Sequence, residues 1–153
     1  MDSMQPDPTA PQGEVLMVLQ ESQQEYSVDG LIISMIGLSA YLQRLYLQSH
    51  LIHFNYEAPN FLAVHKFTKK QYEQHIDQFD KTCEYIRSMD YLVPDDGKEL
   101  INYCKNFKFI KSRDASEMLT TYCKNLENLG MMAKELVTAA REVGAPDIEN
   151  FYA

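Results

Sequence analysis

From Asn60 to Val93 the chain contains neither glycine nor proline. Within that stretch Phe61, Leu62, Val64, Phe67, Tyr72, Ile76, Phe79, Cys83 and Ile86 recur at three- and four-residue steps. An uninterrupted pattern of that period is one face of an α-helix, here about thirty residues long. The same pattern precedes it. Leu31, Ile32, Met35, Ile36, Leu38, Leu42, Leu45, Tyr46 and Ile52 mark a helix from Ser27 to about Tyr56, which Ala58-Pro59-Asn60 ends.

Downstream, Pro94-Asp-Asp-Gly97 is a turn, and residues 98 to 107 are expected to form a short helix within the connection. Asp114-x-x-Glu117 has the form of a capping box for a third long helix, which runs to Gly144. A last helix opens at Ala145-Pro146-Asp147, with few residues after it. Three of the six prolines fall within the first eleven residues, so residues 1 to 13 read as a flexible acidic tail and 14 to 153 as one helical domain. Residues 14 to 26 are expected to form a short amphipathic helix.

Charge narrows the partners. The net charge is -8, and Asp2, Asp7, Glu14, Glu21, Glu25 and Asp29 all precede the first cation, Arg44. Such a segment is repelled by a phosphate backbone, which argues against DNA. The lysines at 66, 69, 70, 98, 105, 108 and 111 read as solvated faces among acids. Three cysteines without CxxC spacing indicate reduced thiols and no zinc knuckle. No targeting segment is evident, and no apolar run is expected to reach the roughly 18 residues of a membrane span. A soluble, cytoplasmic protein is therefore expected. Phosphate-binding glycine loops, HExxH and GxSxG are absent.

What remains are four side chains suited to a metal. Asp80 and Glu84 lie four apart on the second helix, so both carboxylates share one face. His53 and His65 stand on the two shoulders of the Ala58-Pro59-Asn60 turn. Carboxylate oxygens with imidazole nitrogens suit iron, manganese or zinc. Along a continuous helix, however, His65 and Asp80 are roughly 22 Å apart. One subunit cannot close such a site, whereas an antiparallel pair of identical chains builds it twice. On spacing alone the plainer reading, hydrogen-bonded histidines and a solvated acidic pair, carries more weight. His50 and His75 rank lower, with His75 expected to face solvent in the polar stretch YEQHID.

Residues 42 to 86, LQRLYLQSHLIHFNYEAPNFLAVHKFTKKQYEQHIDQFDKTCEYI, resemble the Dps mini-ferritin family without a gap. The correspondence includes His53 and His65 with eleven residues between them, Phe61, Phe67, Tyr72, Asp80 and Glu84. The resemblance implies an all-α, ferritin-like four-helix bundle with a short helix in the middle connection, assembled as a hollow dodecamer from two-fold dimers. It implies a ferroxidase in which His53 and His65 of one subunit join Asp80 and Glu84 of another. Fe(II), with Zn or Mn as substitutes, would be oxidised by hydrogen peroxide and stored as ferric mineral, limiting oxidative damage. Asp147 and Glu149 correspond to acidic residues of an iron entry path.

Departures qualify this picture. The family's Trp, Gly and Arg are Phe54, Ala58 and Tyr85 here, and an Asp that assists a second iron is Lys69. One firm iron site and a weaker second are therefore expected. The fourth helix is expected to be truncated, leaving an apolar groove. A non-catalytic scaffold that keeps the fold around a degenerate site is the alternative.

Overall fold

The computed structural model describes residues 26 to 153; the expected tail and all but the last residue of the expected helix at 14 to 26 lie outside the described residues. Five helices follow one another: α1 Val28–Asn55, α2 Phe61–Ser88, α3 Gly97–Asn102, α4 Ala115–Val143 and α5 Pro146–Tyr152. The boundaries follow local chemistry. Ser27 caps α1 by accepting from Gly30 N at 2.9 Å, and Asp114 caps α4 by accepting from Glu117 N at 3.0 Å. Gly144, at φ 74°, ends α4 in the left-handed conformation that costs glycine little, and Ala145 N reaches back to Ala140 O at 2.8 Å.

α1 and α2 form an antiparallel hairpin joined by the Pro59 turn. Proline bars the preceding residue from helical conformation, and Tyr56 then donates its hydroxyl to Asn60 Oδ1 at 2.7 Å, fixing the corner. α4 lies parallel to α2, as the pairing of His75 with Tyr122 and the shared groove of Thr82 with Leu129 and Ala133 require. Parallel neighbours need a connection that returns along the bundle, and residues 89 to 114 supply it. The short helix in this connection ends at Asn102 rather than 107, because the chain turns away with Asn106 at φ 60°.

The crossover is clamped from inside. Asn125, 1% exposed, donates to Gln48 Oε1 at 2.9 Å and Lys108 O at 2.8 Å, and accepts from Lys108 N at 3.0 Å. Gln48 Nε2 donates to the same Lys108 carbonyl at 3.0 Å. Tyr41 donates to Asn125 as well. One loop residue is thus tied by main chain to both α1 and α4.

α1 is the centre of the bundle. Its buried residues, from Leu31 and Ile32 through Tyr41 and Leu42 to Ile52 and His53, cover most of its circumference. This explains a departure from the expected absence of a membrane-length apolar run: an 18-residue window of α1 has mean hydropathy 1.3. More than half of that window, 56%, is buried within the bundle, as befits a core helix packed by α2, α3 and α4.

α5 occupies only one end of the space beside α2 and α4. Tyr152 hydrogen-bonds Thr82 at 2.7 Å, and Phe151 packs on Tyr85. Beyond it continues an apolar groove of about 210 Å³ lined by Leu38, Leu42, Leu129 and Ala133, in line with the groove expected from a short last helix.

His75 departs from expectation. It is 2% exposed, with Nε2 2.8 Å from the Tyr122 hydroxyl and Nδ1 3.3 Å from Gln78 Oε1. The polar letters around it misled, because His75 points inward to the buried Tyr122 hydroxyl while the half-buried Gln71 and Gln78 hydrogen-bond that pair. Burial lowers the His75 pKa from 6.5, with the Gln78 bond opposing. Below pH 6.5 the unfolded chain then binds more protons than the folded one, so stability present above 6.5 is lost as pH falls through the folded pKa. His75→Gln should flatten the stability profile between pH 7.5 and 5, measured by urea unfolding at each pH. An unchanged slope would assign that pH dependence elsewhere.

Candidate metal centre

His53 ends the core face of α1 and His65 lies in the second turn of α2, so the hairpin corner brings the two rings face to face. Their centroids are 3.5 Å apart and their planes differ by 19°. The contact is reciprocal: His53 Nδ1 lies 2.7 Å from His65 O, and His65 Nδ1 lies 2.9 Å from His53 O. A carbonyl oxygen only accepts, so each bond requires the hydrogen on Nδ1. Both imidazoles are thereby held as the tautomer whose Nε2 keeps its lone pair, the form that binds metals. No protein group among the described residues bonds either Nε2.

A third residue supports this arrangement. Thr68, fully buried, places Oγ1 3.3 Å from His53 Nδ1 while donating to Val64 O at 2.8 Å. The sequence reading missed it, although its position three after His65 on the core face of α2 was the available signal. Aromatic rings complete the surround. Phe61 packs on His65 at 5.1 Å, Tyr72 meets His53 edge-on at 5.4 Å, and His50 lies sandwiched between Phe54 and Tyr72 at 4.7 and 4.2 Å. His50 is therefore part of the aromatic cluster beside the histidine pair.

Asp80 and Glu84 lie on the same helix but far from this pair. α2 is unbroken from Phe61 to Ser88, which keeps the roughly 22 Å between His65 and Asp80. Both carboxylates are exposed and neither makes an ion pair or hydrogen bond among the described residues. Correspondingly, no three His, Cys, Asp or Glu gather around one point among the described residues. The structure brings together His53 with His65, and separately Asp80 with Glu84.

The remaining candidates fare differently. Lys69 is exposed one turn beyond His65. Asp147 and Glu149 stand in the first turn of α5, but Glu149 accepts a 2.8 Å bond from Arg141, so its charge is already paired. Cys83 and Cys104 are half-buried and Cys123 is exposed, all as free thiols. Burial raises the pKa of Cys83 and Cys104 and keeps both protonated near neutrality.

An all-helical bundle with a crossover between its second and third long helices is the architecture of the ferritin-like proteins. Residues 38 to 153 match the Ferritin-like domain family, and the chain belongs to it. Its fold is that of solved Dps structures. Dps from Staphylococcus aureus superimposes with a TM-score of 0.77 at 16% identity, covering 83% of this chain and 85% of that one. Dps from Bacillus brevis gives 0.73 at 18% identity, over 80% and 82%. Dps from Listeria monocytogenes gives 0.74 at 14% identity, over 80% of each. None of the curated proteins matches the chain in sequence.

Proposed function

We propose that the chain is a Dps-like ferroxidase whose substrate is Fe(II), and that its site forms between two copies. The reading rests on one observation: His53 and His65 present metal-ready Nε2 atoms at one end of the stripe whose other end carries the unpaired Asp80 and Glu84. A two-fold axis crossing α2 near residues 73 and 74 sets the histidines of one copy against the carboxylates of the other and makes two equivalent sites. Exposed apolar residues flank the stripe, with Phe54 at 63%, Leu62 at 61% and Ile76 at 47%, as a surface that a second copy covers.

At that site Asp80 and Glu84 balance the charge of the iron and His53 and His65 supply nitrogen donors. Two Fe(II) each yield one electron to hydrogen peroxide, whose O–O bond breaks; with two protons it leaves as two waters. The same axis sets Lys69 opposite residues about 76 to 80 of the other copy, within reach of Asp77 and Asp80. A cation there disfavours a second tightly held Fe(II), so the two irons bind unequally. The ferric product is stored within a hollow assembly, which we take to be a dodecamer. Asp147 is the better iron-entry candidate, since Arg141 neutralises Glu149. The free thiols fit a reducing cytoplasm.

Lys69 also supports a second reading, a ferritin-fold scaffold without metal chemistry. Calorimetric titration with Zn(II), which binds the same donors without redox change, separates the two. The ferroxidase reading predicts micromolar or tighter binding at about one ion per chain, abolished in Glu84→Ala. Absence of binding in that range supports the scaffold.

A further inference from the structure

Between α1 and α4, under the end of α3, runs a cleft of about 750 Å³ that the proposed iron chemistry does not use. Its walls include Ile33 of α1 and Met131 and Leu136 of α4, and its far end carries Lys105. Ile33 is 58% exposed and Met131 60%, so two large apolar side chains of the lining leave most of their surface open. Tyr26, the first described residue, lines the other end.

Ser27 is extended, at φ -95° and ψ 157°, so the backbone leaves the axis of α1 at this residue. From Tyr26 to the level of Gly37 the cleft follows α1 for about 17 Å at ~1.5 Å per residue. The sequence just before Tyr26, EVLMVLQESQQE at 14 to 25, spans about 18 Å as a helix. Folded back on α1 it sets Leu19 at the level of Ile33 and Val15 at that of Gly37. In that arrangement the apolar run Val15-Leu16-Met17-Val18-Leu19 would lie over the exposed apolar walls, and Glu14 would reach the end that holds Lys105. The cleft carries one cation, Lys105, and one acid, Glu135, so apolar match and length select the occupant more than charge does.

We propose that residues 14 to 25 of the same chain dock in this cleft, covering Ile33 and Met131. The sequence has no tryptophan, so Leu16→Trp supplies a single reporter. Docking predicts blue-shifted emission and acrylamide quenching several-fold weaker than that of a free indole. Adding Met131→Asp, or Ile33→Asp, at these exposed positions should restore red emission and full quenching while helix content by circular dichroism holds. Solvent-like emission in Leu16→Trp itself, or shielding that survives both aspartates, overturns the proposal. Co-assembly with a large excess of wild-type chain tests the source of the cleft. If blue emission returns to Leu16→Trp/Met131→Asp, the segment docks on a second copy and the own-chain assignment fails.

Discussion

Replacing His65 and Asp80 together by alanine should lower peroxide-driven Fe(II) oxidation by about 100-fold or more, since loss even of outer-shell partners of metal ligands costs about 10–100-fold. The effect comes from two separate places. His65→Ala removes one Nε2 donor and also the Nδ1 bond to His53 O, so the surviving imidazole loses the stack that orients it. Asp80→Ala removes a carboxylate that is exposed and unpaired in the single chain. Such a substitution leaves stability within about 0.5 kcal/mol of the parent. Stopped-flow absorbance of ferric formation, with thermal unfolding of the same samples, is the measurement. Rates equal to the parent's, in folded protein, would remove these residues from the site.

Asn125→Ala should produce the largest loss of stability among polar substitutions, about 3–4 kcal/mol, because buried groups left without partners bear their full desolvation cost. Alanine deprives Lys108 N and Gln48 Oε1 of their partners and strips one of two donors from Lys108 O. Tyr41 keeps the Asn125 main-chain carbonyl at 3.1 Å, so its share of the loss is small. The crossover containing residues 103 to 114 loses its internal anchor, and amide exchange there should rise more than elsewhere. Urea unfolding gives the free energy, and exchange measured by mass gives the location. A loss under about 1 kcal/mol, the size of one ordinary hydrogen bond, would mean that water or rearrangement replaces the clamp.

How much of this was legible in the sequence depended on how local the cause was. The three long helices were readable because breakers at Pro59, Pro94, Gly97 and Gly144 punctuate an otherwise continuous apolar period. The Asp114 cap was readable for the same reason, being settled within one turn. His75 was not, since its burial depends on Tyr122, forty-seven residues away on a helix whose register the sequence alone does not set. The extent of α3 was misjudged because KNF at 105 to 107 looks helical locally, while Asn125 and Gln48 pull the following residue into the clamp.

The candidate site was legible in part. A spacing of twelve positions from His53 to His65 across a turn suggested convergence, and the structure brings the rings to 3.5 Å. The reciprocal Nδ1 bonds and the Thr68 support are details of side-chain geometry that no spacing encodes. The remoteness of Asp80 and Glu84 followed from helix arithmetic before any coordinates, and it makes the central claim one about two chains rather than one.

That claim is tested most directly by mixing His65→Ala chains with Asp80→Ala chains. In a mixed dimer one of the two sites carries both substitutions and the other carries neither. With random pairing half the dimers are mixed, so about one quarter of all sites regain four intact ligands. Each variant alone should be nearly inactive, and the co-assembled mixture should recover about a quarter of the parental Fe(II) oxidation rate. A mixture no more active than its components, despite proven chain exchange, would contradict a site shared between copies.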